Sequence, residues 1–110
     1  MEKVAIPSDG NKFARHFGRC PEYTFYTIDE GKVMDKKVIS NPGHQPGYLP
    51  KFLKEKGVDC VIASGMGRKA QDLFKQNNID VVIGVKGNID EKIQMYLADE
   101  LNEGENICSH

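Results

Sequence analysis

No stretch of the chain approaches the roughly 20 consecutive apolar residues that a membrane-spanning helix needs. The first residues, Met1 to Pro7, lack the apolar centre of a secretory signal and enter a strand pattern at once. Cysteine is sparse: Cys20, Cys60 and Cys108, with no two in a Cys-x-x-Cys pair. That set excludes a disulfide framework, and it excludes a four-cysteine metal site built within one chain. With no signal, a reducing cytoplasm is the expected setting. A formal net charge of -1 gives no global field that would draw in nucleic acid or a membrane surface. Repeats and low-complexity tracts are absent.

What is present is an ordinary globular composition of 110 residues, 39% hydrophobic and 28% charged, enough for one core. The stretch from Val58 to Ala70 organises it. A short apolar run, Cys60 to Ala63, meets Ser64, Gly65 and Gly67 and then a helical pattern. A buried run bounded by turn residues and followed by a helix reads as a central parallel strand feeding a crossover. Ligands of open α/β sheets bind outside the carboxyl ends of such strands.

Upstream, Lys3 to Ser8 predicts the first strand, with Val4 and Ile6 on one face. Lys12 to Pro21 reads as a loop, rich in bulky and ligand-capable groups. Glu22 to Asp29 alternates as a second strand, and Glu30-Gly31 suits a hairpin turn. Lys32 to Ser40 returns as a polar edge, where Lys32, Lys36 and Lys37 would discourage edge-to-edge pairing. Asn41 to Gly47 is a stiff loop. Leu49, Phe52 and Leu53 then recur at helical spacing, and Gly57 stands where a helix-ending glycine belongs. Ala70, Leu73 and Phe74 mark the second helix, Ile79 to Gly84 the fifth strand. Asn88 caps a third helix with Ile89, Ile93, Tyr96 and Leu97 on its apolar stripe. The order β-β-β-α-β-α-β-α predicts a five-stranded mixed sheet, ordered 3-2-1-4-5, with helices on both faces. This is a ribonuclease H-like α/β architecture. Residues 1–102 form the expected domain, and 103–110 a polar tail.

Several chemistries can be weighed. Gly65-x-Gly67-x-x-Ala70 matches a relaxed dinucleotide fingerprint. The next strand offers no acidic residue at its tip for a ribose, so glycines serving close helix–strand packing are the plainer explanation. A nuclease needs several carboxylates converging on two metal ions. The strand interiors have none, and only Asp9 and Asp59 lie nearby, at opposite strand ends. No nucleophile–base pair is evident, so no enzyme is expected. The remaining set is soft: His16 and Cys20 flank the first loop, His44 sits in the Pro/Gly loop, and Cys108-x-His110 ends the chain. Imidazole and thiolate suit zinc, copper or iron–sulfur species. Cys60 reads as a small buried hydrophobe.

Taken together, His16-Phe17-Gly18-Arg19, Asn41-Pro42, His44-x-Pro46-Gly47 with Leu49-Pro50, Gly65-Met66-Gly67 with Ala70, and Cys108-x-His110 resemble the dinitrogenase iron–molybdenum cofactor biosynthesis family. The resemblance runs from Val4 to His110. It implies a ribonuclease H-like fold and a non-catalytic role in binding and passing on an iron–molybdenum or iron–sulfur cluster. The chain looks like the small stand-alone members, without the extra domains of nitrogenase assembly proteins. A preformed cluster brings its own sulfides, so a carrier need supply only one or two soft ligands and N–H donors. The expected metal ligands are His16, Cys108 and His110. Arg19, His44, Gly65, Met66, Gly67 and Arg68 are the expected surroundings. The partners expected are the cluster and a donor or acceptor protein, with no nucleic acid and no membrane, and the chain a monomer or weak homodimer. A nucleotide- or phosphate-responsive module using the Gly65-Met66-Gly67 turn is the alternative.

Overall fold

The computed structural model describes residues 2–14, 20–41 and 48–98. The chain order is β1 (Glu2–Asp9), β2 (Lys12–Phe13), β3 (Glu22–Asp29), β4 (Lys32–Ser40), α1 (Tyr48–Glu55), β5 (Cys60–Ile62), α2 (Arg68–Gln76), β6 (Asp80–Val82) and α3 (Ile89–Leu97). The strands form one mixed sheet in the order β4-β3-β1-β5-β6, with β2 paired to β1 off this path. The sheet therefore has six strands where the sequence predicts five. The additional strand lies in the expected loop: Ser8 pairs with Phe13 and Asp9 with Lys12 in a tight hairpin. A two-residue strand has no periodicity to read. Its pairing comes from β1 running on past the end of β5 and leaving that side of its backbone open. The other five strands take the predicted order, with β1 and β5 parallel at the centre.

Strand alternation divides the core. From β1, Val4 and Ile6 point to one face, where Ile62 of β5 and Ile89 and Ile93 of α3 meet them. Ala5 points to the other face, with Val61 of β5, Leu53 of α1 and Phe74 of α2. Helices thus cover both faces, and a central strand buried on both sides shows a continuous apolar run. Phe74 is fully buried, which contributes about 1.5–3 kcal/mol relative to exposure.

The turns follow local chemistry. Glu30 and Gly31 both take positive φ, 53° and 74°, the primed geometry that matches strand twist in a two-residue hairpin. At the end of α1, Gly57 takes φ of 81°. Its N–H donates to the Lys54 carbonyl and that of Val58 to the Leu53 carbonyl. This closing motif satisfies two orphan carbonyls and drops Val58 into the core. Asn88 caps α3, its side chain accepting from the Glu91 N–H at 2.9 Å. Among the described residues, no helix is long and apolar enough to cross a membrane.

Candidate functional site

The upper edge of the sheet, where β1, β5 and β6 end, gathers three loop roots. The first belongs to the segment containing His16 and Arg19. Ala14 before it and Cys20 after it are both buried in the cluster under α1 and α2. The second belongs to the segment containing His44. Asn41, at its start, donates from its backbone to the Pro21 carbonyl at 3.1 Å and from its side chain to the Cys20 carbonyl at 2.8 Å. The third is the Ser64–Gly67 turn, whose Met66 packs against the cluster that holds Ala14 and Cys20. His16, Arg19, His44, Cys108 and His110 themselves lie outside the described residues. Gly65, Met66, Gly67 and Arg68 lie within them, together at the start of α2.

Gly67 is the N-cap of α2, with φ of -64° and ψ of 151° and no side-chain capping bond. Any residue can take that conformation. A Cβ built there meets no atom within 4 Å. The close helix–strand packing expected of these glycines is therefore not what Gly67 provides, because the strand does not approach it. Neither backbone strain nor packing requires glycine here. The first turn of α2 carries no acidic residue, and Arg68 and Lys69 are exposed. Gly67 has no side chain with which to cap the leading N–H groups, and among the described residues no side-chain cap is made to them; the helix dipole gives them a partial positive charge. Such a terminus favours an anion. Gln71 holds the turn in shape: its side-chain amide donates to the Met66 carbonyl at 3.0 Å.

Beside this edge, Ser8 and Thr24 are buried, their hydroxyls 2.8 Å apart. The Gly10 N–H donates to a Glu22 carboxylate oxygen at 3.1 Å. Lys12 bridges to Asn88, and the Phe13 N–H donates to the Gly87 carbonyl at 3.0 Å, so the β1–β2 hairpin is tied to the entry of α3. Asp9 and Asp59 lie at opposite ends of the parallel β1–β5 pair. Asp59 is used locally, a carboxylate oxygen accepting the Lys3 N–H at 3.0 Å. Among the described residues, no group of three His, Cys, Asp or Glu side chains is arranged to hold a metal ion. Cys60 is buried, as expected of a small hydrophobe.

A third set of polar contacts joins the sheet to α3. The Tyr26 hydroxyl donates to Asp90 Oδ1 at 2.6 Å, and Lys36 Nζ reaches Oδ1 and Oδ2 of the same carboxylate at 2.8 and 3.1 Å. The Lys36 hydrogen bond, then that of Tyr26, holds the Asp90 carboxyl below its ordinary range. Burial, reinforced by Asp90, pushes the Tyr26 phenol well above its own. The sequence pattern carries no signal for Asn41 and Gln71 as struts of the edge, or for Asp90 as a clamp. Each acts on a partner distant in the chain or hidden in a turn, where periodicity carries no signal.

A family model described as dinitrogenase iron-molybdenum cofactor matches residues 1–99. MJ0580 of Methanocaldococcus jannaschii is 33% identical over 110 residues, 96% of this chain and 93% of that protein. The crystal structure of PH0822 superposes with a TM-score of 0.87 at 32% identity, covering 93% of this chain and 94% of that one. MJ0327 of Methanocaldococcus jannaschii gives a TM-score of 0.75 at 25% identity, covering 94% and 95%. The apo form of the orange protein from Desulfovibrio gigas shares the fold at 18% identity and a TM-score of 0.75, covering 99% and 98%. On the strength of the match over residues 1–99, this chain belongs to the dinitrogenase iron-molybdenum cofactor family.

Proposed function

We propose that the chain is a non-catalytic carrier. It holds an anionic metal–sulfur cluster, iron–molybdenum cofactor, its precursor or an iron–sulfur species, at the upper edge and passes it to a partner protein. The observation that carries this reading is the start of α2: an N-terminus that no side chain among the described residues caps, with no acidic residue in its first turn, whose glycine neither backbone strain nor packing requires. Open N–H donors and Arg68 suit the sulfides of an anionic cluster. Met66 is half-buried against the core and gives that face apolar shelter. His16 is the principal ligand in this reading, with Arg19 and His44 beside it and Cys108 and His110 as auxiliary ligands.

The reach of the last two follows from the fold. Asn88 is tied to β2 at the upper edge, and the Tyr96 hydroxyl donates to Glu2 at the start of β1. α3 therefore runs from the upper edge to the lower. The twelve residues from 99 to 110 span up to about 40 Å when extended. The described body measures 33 × 27 × 25 Å, so a return to the upper edge lies within reach.

The test is anaerobic reconstitution of the full chain with an iron–sulfur cluster, followed by absorption spectra and metal analysis. His16→Ala should weaken cluster retention at least 10–100-fold, the range typical of lost outer-shell partners, with the melting temperature nearly unchanged. Truncation after Asn106 should weaken it less. Unchanged retention in both variants would overturn the assignment. The same open helix start also favours a second reading, a nucleotide- or phosphate-binding module. Submicromolar nucleotide affinity lost in Gly67→Val, with no cluster retained, would select it instead.

A further inference from the structure

β4 is the edge strand of the sheet, and among the described residues no strand pairs with its outer side. It also carries Met34 and Val38, the large hydrophobic side chains that stand exposed among the described residues, at 62% and 48%. From the geometry of this strand we infer that β4 is a self-association surface, whose partner is the β4 of a second copy, paired antiparallel about a two-fold axis at Lys36.

Read outward from Lys36, the strand complements itself. One step away stand Asp35 and Lys37, and two steps away Met34 and Val38. An antiparallel two-fold places each residue opposite its counterpart in the other copy. Asp35 then faces the second copy's lysine at 37, and Met34 faces its valine at 38. Asp35 pairs with Thr27 of β3 and Lys37 with Phe25. Both lie on the α1–α2 face of the sheet, so the opposite charges meet on one side. Both are exposed, and the ion pair recorded among the described residues involves neither.

The residue on the axis is the one that should forbid the pairing, since two lysines would meet there. Its charge is withdrawn. Lys36 Nζ lies 5.8 Å from the centre of the Tyr26 ring and is bound to both oxygens of Asp90. A lysine turned over its own sheet and neutralised by a carboxylate on α3 does not repel its copy as a free one would. The edge lysines noted in the sequence are thus not equivalent. The bulge between Asp35 and Val33 leaves Met34 opposite no residue of β3. It breaks regular pairing beyond that point and confines the contact to Met34–Val38. So short an interface is weak and concentration-dependent. The inference does not depend on the cluster reading.

Sedimentation velocity on the full chain, over rising concentration, tests it. The wild type should shift from 12.3 kDa towards twice that mass. Asp35→Lys and Lys37→Asp should each place like charges opposite one another and weaken association at least tenfold, with unchanged circular dichroism. Mixing the two variants should restore a dimer, because each substituted side chain then meets an opposite charge. A wild type that stays monomeric at every concentration, variants that associate as well as the wild type, or a mixture that does not associate would each overturn the inference.

Discussion

Asp90→Ala should destabilise the fold by about 2–5 kcal/mol, and the interest lies in which partner accounts for it. Asp90 has three stabilising roles. It accepts from the Tyr26 hydroxyl at 2.6 Å; the Tyr26 residue is 1% exposed, and a hydrogen bond to a charged acceptor contributes about 1.5–3 kcal/mol. It pairs with Lys36, but the two side chains are 35% and 51% exposed, so solvent screening holds that pair to about 0.2–1 kcal/mol. It also stands in the first turn of α3, where a carboxylate contributes about 0.3–1 kcal/mol against the helix dipole. The hydrogen bond from the phenol should dominate. Tyr26→Phe should cost about 1.5 kcal/mol and Lys36→Met less than about 1 kcal/mol, with the Tyr26–Asp90 coupling exceeding the Lys36–Asp90 coupling. Urea unfolding measures each as a shift in midpoint at constant slope. The pH dependence has a fixed sign. The folded carboxyl titrates below its ordinary value, so its contribution is complete above about pH 4 and is lost as pH falls further. Equal costs for Tyr26→Phe and Lys36→Met, or no coupling between Tyr26 and Asp90, would refute the ranking.

Asn88→Ala should cost about 1 kcal/mol by freeing the Glu91 N–H, and Asn88→Ser should recover most of it; equal stability of wild type and Asn88→Ala in urea would deny the cap. In alkali the phenols of Tyr26 and Tyr96 are both held above the ordinary value, by burial first, with Asp90 adding for Tyr26 and Cys60 and Glu2 for Tyr96. Groups raised in the folded state stabilise fully below the unfolded value, so stability should fall as pH rises past about 10. Ultraviolet titration should show these two phenols ionising with unfolding rather than before it.

The strands legible in the sequence are those whose pattern is set by the sheet's own geometry. Tyr23 to Ile28 alternates between two covered faces, and Cys60 to Ile62 is apolar throughout because helices lie on both sides. Asn88 and Gly57 were legible because caps are local chemistry. Lys12 and Phe13 were not, since what makes them a strand is the free side of Ser8 and Asp9. At the upper edge, Gly65-Met66-Gly67 could be singled out as a turn before a helix. Whether the fold needed Gly67 could not be read, because that depends on how near the sheet comes. The roles of Asn41 and Gln71 depend in the same way on where Cys20 and Met66 end up in space.

The contact between Tyr96 and Glu2 joins residues 94 apart in sequence, and the strand it anchors, β1, lies at the centre of the sheet. This has a consequence during synthesis. Of the elements of this sheet β1 leaves the ribosome first, yet its parallel partner β5 follows more than 50 residues later, and α3, which covers Val4 and Ile6, follows later still. Until α3 with Ile89 and Ile93 has emerged, the helix that covers one face of the central strand is missing. The β3–β4 hairpin can form early from local contacts, but the nascent chain must carry an incompletely covered apolar face until α3 is made. The protein is made in effect as a single closing step, and a chain released before Ile93 presents to a chaperone the same surface that the finished fold hides.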